Sequence, residues 1–284
     1  MKNIIRNICL LSTIIIFTIS MLSGCNINKN NIEKPNNQVK SIELEINKEN
    51  TMALEIDNPK TEIGKKDGNQ YIDTQTKIKN ISNFTIRDIN LVYKEYNDSD
   101  KAVSTIDSFL ELTLNPGEVA IAHASHEKYI NRAEVIKYSY KVDDKWIYVD
   151  LESNNIDVVN TNETISKNKK YDILAISNPE KINNVKGGYN SKLIVKNISE
   201  NDIGSLSIII GELNEKNEYI GVTYLNSYEV IKTSQEIELN SVHSNSVKKI
   251  EVLGYIYDDV MKSSTIDVNY NLSQSTIIKN KYEK

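Results

Sequence analysis

Beyond residue 25 this sequence has no cysteine: the two it contains, Cys9 and Cys25, both stand near the start of the 284-residue chain. The remainder therefore has no disulfide and no thiol, and its stability must come from apolar cores. Histidine is nearly as scarce, at His123, His126 and His243. A zinc site needs three or four converging N, S or O ligands. No short ligand spacing occurs, so these read as exposed loop or strand histidines. No G-x-S-x-G, H-E-x-x-H, P-loop or G-x-G-x-x-G pattern is present. Positive charge is also short: the net charge is −5, which gives no electrostatic footprint for nucleic acid or anionic lipid. These absences point away from an enzyme and imply no cofactor.

What is there begins with a cationic start, Lys2 and Arg6, and a mostly apolar run from Ile8 to Met21. That run is short for a membrane span, which needs about 20 apolar residues. Leu22-Ser23-Gly24-Cys25 follows it. Together these resemble a bacterial lipoprotein signal with its lipobox. The resemblance implies a peptidase that reads Leu22, Ser23 and Gly24 and cuts before Cys25. It also implies a Cys25 thiol carrying diacylglyceryl, with palmitate-type chains. Two or three acyl chains anchor stably, each buried methylene adding about 0.8 kcal/mol. The implied location is the extracytoplasmic face of the cell membrane. An ordinary signal peptide or membrane helix with a chance cysteine is the alternative.

Cleavage would leave 284 − 24 = 260 residues with net charge 32 − 39 = −7. The wealth of Asn, Lys and Ile suggests a low-GC genome and so a Gram-positive bacterium. Residues 25–41 are polar and read as a flexible tether; the alternative is an ordered N-terminal strand.

An internal repeat organises the rest. Lys79-Asn80-Ile81-Ser82 recurs as Lys196-Asn197-Ile198-Ser199, an offset of 196 − 79 = 117. Asn58-Pro59 recurs as Asn178-Pro179, and Tyr140 to Asp144 pairs with Tyr255 to Asp259 at offset 115. His126 and His243 are also 117 apart. Two tandem copies follow, at 42–152 and 168–272, with a polar linker at 153–167 and a polar, frayed tail at 273–284.

Within copy one, Ile72, Thr74, Thr76 and Ile78 alternate with polar residues, as do Ile89, Leu91 and Tyr93. A period of two predicts half-buried strands, and no segment sustains a helical period. Val119, Ile121 and His123 alternate with alanines. Asn115-Pro116-Gly117 makes a turn that copy two lacks, Thr233-Ser234 standing near that place. Ser205 to Leu213 is more continuously apolar and reads as a central strand covered on both faces. About seven short strands per copy with regular turn signals predict an all-β chain of two antiparallel β-sandwiches. The absence of a Cys…Trp…Cys pattern excludes an antibody-type domain.

The run K-N-I-S…I-N-L-V-Y…L-N-P-G-E resembles the small immunoglobulin-like modules of Gram-positive lipoproteins, of the FxLYD and DUF4352 kind. Asn80, Ser82, Leu91, Tyr93, Leu114, Pro116, Gly117 and Glu118 carry the likeness, over about half of copy one. The resemblance implies a fold and supplies no catalytic residues.

Asp143-Asp144 and Asp258-Asp259 are candidate calcium ligands, since Ca²⁺ takes six to eight oxygens; the other reading is plain hairpin turns. Glu111 and Glu118 have the form of a glycosidase pair, or are solvent-face positions. Asn80 and Asn197 have the form of glycosylation sequons, or end strands. Sixteen tyrosines against three phenylalanines and one tryptophan suit core packing or a binding face. Tyr93, Tyr96, Tyr138, Tyr140, Tyr219, Tyr224 and Tyr228 are the candidates.

The functional expectation is a lipid-anchored, non-catalytic surface lipoprotein that presents its sandwiches to another envelope or surface protein or to wall polymer. The alternative is an accessory solute-binding or sensing lipoprotein of a membrane complex, which would need a ligand cleft between the copies.

Overall fold

The computed structural model describes residues 51–66, 69–127, 129–161, 164–166, 172–261 and 264–279. The signal segment, Leu22 to Cys25, the tether and the start of copy one lie outside the described residues. All that is described belongs to one compact unit, Ile46–Lys284.

The chain is all-β. In the first half β1 (Leu54–Ile56), β2 (Lys60–Lys66), β3 (Asn69–Asn80) and β6 (Val119–His126) make one layer. The other layer is a five-stranded sheet. It comprises β5 (Ala102–Leu114), β4 (Ile86–Tyr96), β7 (Arg132–Val142), β8 (Lys145–Asp150) and β9 (Asn155–Asn160), in that spatial order.

The second half repeats the plan. Here β11 (Leu174–Ile176), β12 (Glu180–Val185), β13 (Gly188–Asn197) and β16 (Glu236–Ser244) form the small layer. The large layer is β15 (Tyr219–Ser227), β14 (Ile203–Leu213), β17 (Lys249–Asp259), β18 (Ser264–Asn269) and β19 (Gln274–Lys279), with β10 (Thr164–Ser166) added at its edge. Each half is thus a pair of antiparallel layers in β-sandwich arrangement.

One ladder joins the halves: β15 runs parallel to β6 through Tyr219 and Ala120. It fuses the small layer of the first half with the large layer of the second into a ten-stranded sheet. Lys77 Nζ, 2.7 Å from Glu218 Oε1, reinforces the junction and holds the Glu218 carboxyl below the usual range.

Alternation explains the cores. Ile72, Thr74, Thr76 and Ile78 all face inward, as do Ile89, Leu91 and Tyr93. Tyr93 donates across the layers to Thr76 Oγ1 at 2.9 Å, and burial pushes its phenol up to about 12. Tyr140 donates to the Thr51 carbonyl at 2.8 Å. Aliphatic side chains such as Ile78, Ile89 and Leu91 contribute roughly 1.5–3 kcal/mol each when fully buried. Leu193, Val195, Ile208, Ile210, Tyr255 and Ile266 form the matching core of the second half.

β14 is a central strand, paired on both edges, and along it buried residues largely alternate with half-buried ones, so its second face is only partly covered. In β6 the phase is the reverse of a simple hydrophobic count. Ala120, Ala122 and Ala124 face the core, while Ile121 and His123 face the second half. On that outer face Val119 and Ile121 are half-buried, while His123 and Ser125 are exposed.

The segment read as a linker carries β9 and β10, and the segment read as a frayed tail carries β19. β9 is an edge strand with five of six residues exposed, so it carries no hydrophobic alternation. Its ladder to β8 needs backbone groups only.

Candidate functional site

The strand pairing fixes how the two copies correspond. Leu91 faces Tyr138 in the first half and Ile208 faces Tyr255 in the second, so these central strands of the two copies align at 117. At that spacing a buried network appears twice. Glu95 on β4, His126 on β6 and Thr74 on β3 become Glu212 on β14, His243 on β16 and Ser191 on β13. His126 Nδ1 lies 2.5 Å from Glu95 Oε1, and its Nε2 lies 2.7 Å from Thr74 Oγ1. His243 Nδ1 lies 2.6 Å from Glu212 Oε1, and its Nε2 meets Ser191 Oγ at 2.9 Å and Ser241 Oγ at 2.7 Å.

The carboxylate stands on one layer and the imidazole and hydroxyl on the other. The network is therefore a polar clasp between layers. Its donor order is that of a Ser–His–acid relay, but Ser191 is 2% exposed and has Ser241 as a further partner. A substrate carbonyl has no approach to it. Gly188 opens β13 against this site, where a Cβ would come 1.8 Å from the His243 carbonyl oxygen. His126 and His243 are thus buried strand residues, contrary to the exposed reading; His123 alone is exposed, 3.0 Å from Asp73.

A cleft of about 270 Å³ lies between the halves. The first half supplies Arg87, Asp88, Phe109, Glu111, Lys141 and Trp146; the second supplies Tyr224, Asp267, Asn269, Ile209 and Ile256. A bulge in β4 builds one wall. Asp88 takes φ 53°, and the ladder to β5 skips from Arg87 to Ile89. Neighbours in a regular strand point to opposite faces, whereas the bulge brings Arg87 and Asp88 to one cleft.

Arg87 Nη1 lies 3.6 Å from Asp88 and 3.7 Å from Asp267 of the other half. Lys141 Nζ lies 3.5 Å from Asp88 and 5.1 Å from the centre of the Trp146 ring. Both cations are buried, so their pairing with carboxylates is what makes burial tolerable. Tyr224 donates to Glu111 across the halves, and burial with that carboxylate raises its phenol. Asn269 donates to Thr113 Oγ1 at 2.7 Å. An adjoining cavity of about 420 Å³ shares Phe109, Glu111, Leu112 and Tyr224 with the cleft.

No protein-family model matches this chain. No curated protein matches it either. Among solved structures it is similar to an Amycolatopsis orientalis exo-chitosanase at 10% identity and TM-score 0.22, over 78% of this chain and 26% of that one. A red sea bream transglutaminase follows at 8% identity and TM-score 0.19, over 79% and 32%. A third is the C-terminal globular domain of an oligosaccharyltransferase from Pyrococcus abyssi, at 9% identity and TM-score 0.18, over 80% and 47%. The chain spans less than half the length of each of these, and at such scores the likeness carries no argument.

The residues singled out from sequence fall as follows. Cys25, Leu22, Ser23 and Gly24 lie outside the described residues. Asp143-Asp144 forms the two-residue β7–β8 hairpin turn, with Asp143 at φ 49°. Asp258-Asp259 does not turn; it ends β17, and the chain turns after it at Val260. The offset of 115 paired residues two positions apart in the fold, so the two acid pairs are not equivalent. Asp258 accepts from Ser205 Oγ at 2.5 Å and Thr265 Oγ1 at 2.8 Å. Among the described residues no three His, Cys, Asp or Glu side chains converge as a metal site would require.

Glu118 accepts from the Asn115 backbone at 2.7 Å inside its turn, whereas Glu111 accepts from Tyr224 of the second half. Asn80 and Asn197 end β3 and β13 and are fully buried. Tyr93, Tyr138, Tyr140 and Tyr219 are core residues, Tyr224 joins the halves, Tyr96 lies under Arg132, and Tyr228 is 84% exposed. Sequence reading missed Arg87, Lys141, Trp146 and Asp267 as a group because four strands from both halves bring them together. The clasp was detectable: the 117 spacing applied to every polar residue, rather than to histidine alone, finds Glu95 and Thr74.

Proposed function

We propose that this chain is a lipid-anchored, non-catalytic envelope protein that works by binding, with Cys25 as the anchor. The observation that supports the binding reading is the edge-to-edge fusion of the two halves. It makes a composite surface with a cleft lined by both halves. In this reading the tether lifts the sandwiches from the membrane, and the partner is another envelope protein or wall polymer. Crosslinking pull-down from intact cells, wild type against Cys25→Ala, tests it. Capture of a partner or wall material together with membrane fractionation of the wild type alone is expected. A wild type that fractionates as soluble sinks the anchor, and recovery of neither protein nor wall material sinks the binding role.

The cleft also favours a second reading, an accessory solute-binding or sensing lipoprotein of a membrane complex, which called for a ligand site between the copies. A partner captured only by the lipidated form, and membrane-embedded itself, favours that second reading.

A further inference from the structure

The cleft between the halves is charged, buried and internally paired, and that combination selects a ligand. Arg87 and Lys141 face Asp88 and Asp267. An anionic ligand would have to take a cation from its carboxylate, and a cationic ligand would have to do the reverse. Either exchange leaves a buried charge uncompensated, which costs several kcal/mol. A neutral ligand rich in hydroxyls avoids that cost, because each hydroxyl both donates and accepts. It can donate to Glu111 and Asp267 and accept from Asn269 and Arg87 while the pairs stay intact.

The apolar part of the lining fits the same ligand. Trp146 and Phe109 line the first half's wall; Tyr148 stacks on Trp146 with ring centres 6.1 Å apart and Lys141 Nζ stands 5.1 Å from the Trp146 ring centre, while Phe109 is 52% exposed. Aromatic faces suit the C–H face of a ring whose edge carries the polar groups. The volume, about 270 Å³, is just below the range of roughly 300–1,000 Å³ that holds drug-sized ligands. It admits one small ring, and the adjoining cavity of about 420 Å³ continues the path past the Glu111–Tyr224 bond.

We infer that the inter-half cleft is a binding site for a neutral saccharide chain, one ring against Trp146 and the next beyond Glu111 and Tyr224. The inference rests on the proposed binding role and names the ligand class of that role. The bulge at Asp88 belongs to the site: the equivalent position in the second half is Ser205, whose hydroxyl is held by Asp258, and that half has no matching arginine, since Gly204 stands there.

Trp146 is the chain's one tryptophan, so its fluorescence reports this cleft alone. The test is a titration of the protein lacking its signal segment with a neutral N-acetylglucosamine oligomer, an oligogalacturonate and an oligolysine, repeated by calorimetry. Saturable change with the neutral oligomer alone is expected, weakened about tenfold in Glu111→Gln, as loss of a charge-assisted hydrogen bond predicts. Glu111 is exposed, so the variant keeps the fold, which circular dichroism checks. Phe109→Ser, also exposed, gives a second reading of the mouth. No response to the neutral oligomer overturns the inference, as does a stronger response to either charged one. Equal binding by wild type and both variants places the saccharide elsewhere and also overturns it. A pull-down that captures a protein partner while the titration stays flat defeats this inference and leaves the proposed role standing.

Discussion

His243 and Glu212 sit 2.6 Å apart on opposite layers of the second half, and His126 and Glu95 repeat them 243 − 126 = 117 residues earlier. Each pair ties a small layer to a large one at a depth where unpaired polar groups are expensive. His243→Ala and Glu212→Ala should each destabilise by about 2 kcal/mol, and the double variant by clearly less than their sum. Urea unfolding of the cycle measures the coupling, about 1 kcal/mol or more. Strict additivity would mean that the two side chains do not share a network.

The Asn80 and Asn197 corners should be the most sensitive polar positions in their halves. Asn80 Nδ2 donates to the Phe84 carbonyl at 2.8 Å and the Leu114 carbonyl at 2.9 Å, and its Oδ1 accepts from the Ser82 backbone and hydroxyl. Asn197 makes the same set with Asn201, Ile231 and Ser199. Alanine at either asparagine leaves two carbonyls without that donor and should cost about 3 kcal/mol, against about 1 for Ser82→Ala. Thermal or urea midpoints decide; equal losses at Asn80 and Ser82 would contradict the geometry.

The turn after β5 recurs in the second half with different residues. Gly117 at φ 84° and Ser234 at φ 64° each donate to the preceding corner asparagine carbonyl, at 2.8 and 2.9 Å. Serine pays a steric penalty there that glycine does not, about 1–2 kcal/mol against the αR alternative. Ser234→Gly should therefore stabilise by about 0.5–1 kcal/mol after glycine's entropy is counted. Gly117→Ser should destabilise by a similar amount, because a Cβ at Gly117 meets no atom within 4 Å and only the backbone term changes. Denaturant midpoints moving the other way would refute the account.

Alkali should unfold this protein in a narrow window. Burial holds Tyr93, Tyr138 and Tyr270 up at about 12. It also leads the causes that raise Tyr140, Tyr219, Tyr224 and Tyr255. In the unfolded chain these phenols titrate near 10. Between those values the unfolded state has released protons that the folded state still holds. Stability is thus whole below about pH 10 and falls as pH rises through the folded values. Urea midpoints measured across that range should drop steadily, and phenolate absorbance should rise together with loss of β signal. Phenolates that form near 10 in an intact fold would show the tyrosines to be open to water.

Alternation on β3 and β4 was enough to specify their faces, because a period of two has one solution when a single face is dry. The 117-residue recurrence determined that the strand plan occurs twice, and Asn80-Ile81-Ser82 marked its corners. The lipobox reading of Cys25 also rests on sequence alone. The tertiary structure decided everything that depends on contact between the copies. β9 is an edge strand held by backbone pairing, and β19, between β18 and β10, buries the polar Gln274, Ser275 and Thr276, so neither leaves much hydrophobic trace. The inward alanines of β6 run against the hydrophobic count, and only the packed layers show that Ala120, Ala122 and Ala124 are the buried set. Arg87, Lys141, Trp146 and Asp267 are spread over 267 − 87 = 180 residues of sequence and two different sheets, and only the assembled fold brings them to one cleft. Local pattern encodes which face of a strand is buried; which other strand covers it is a property of the assembled chain.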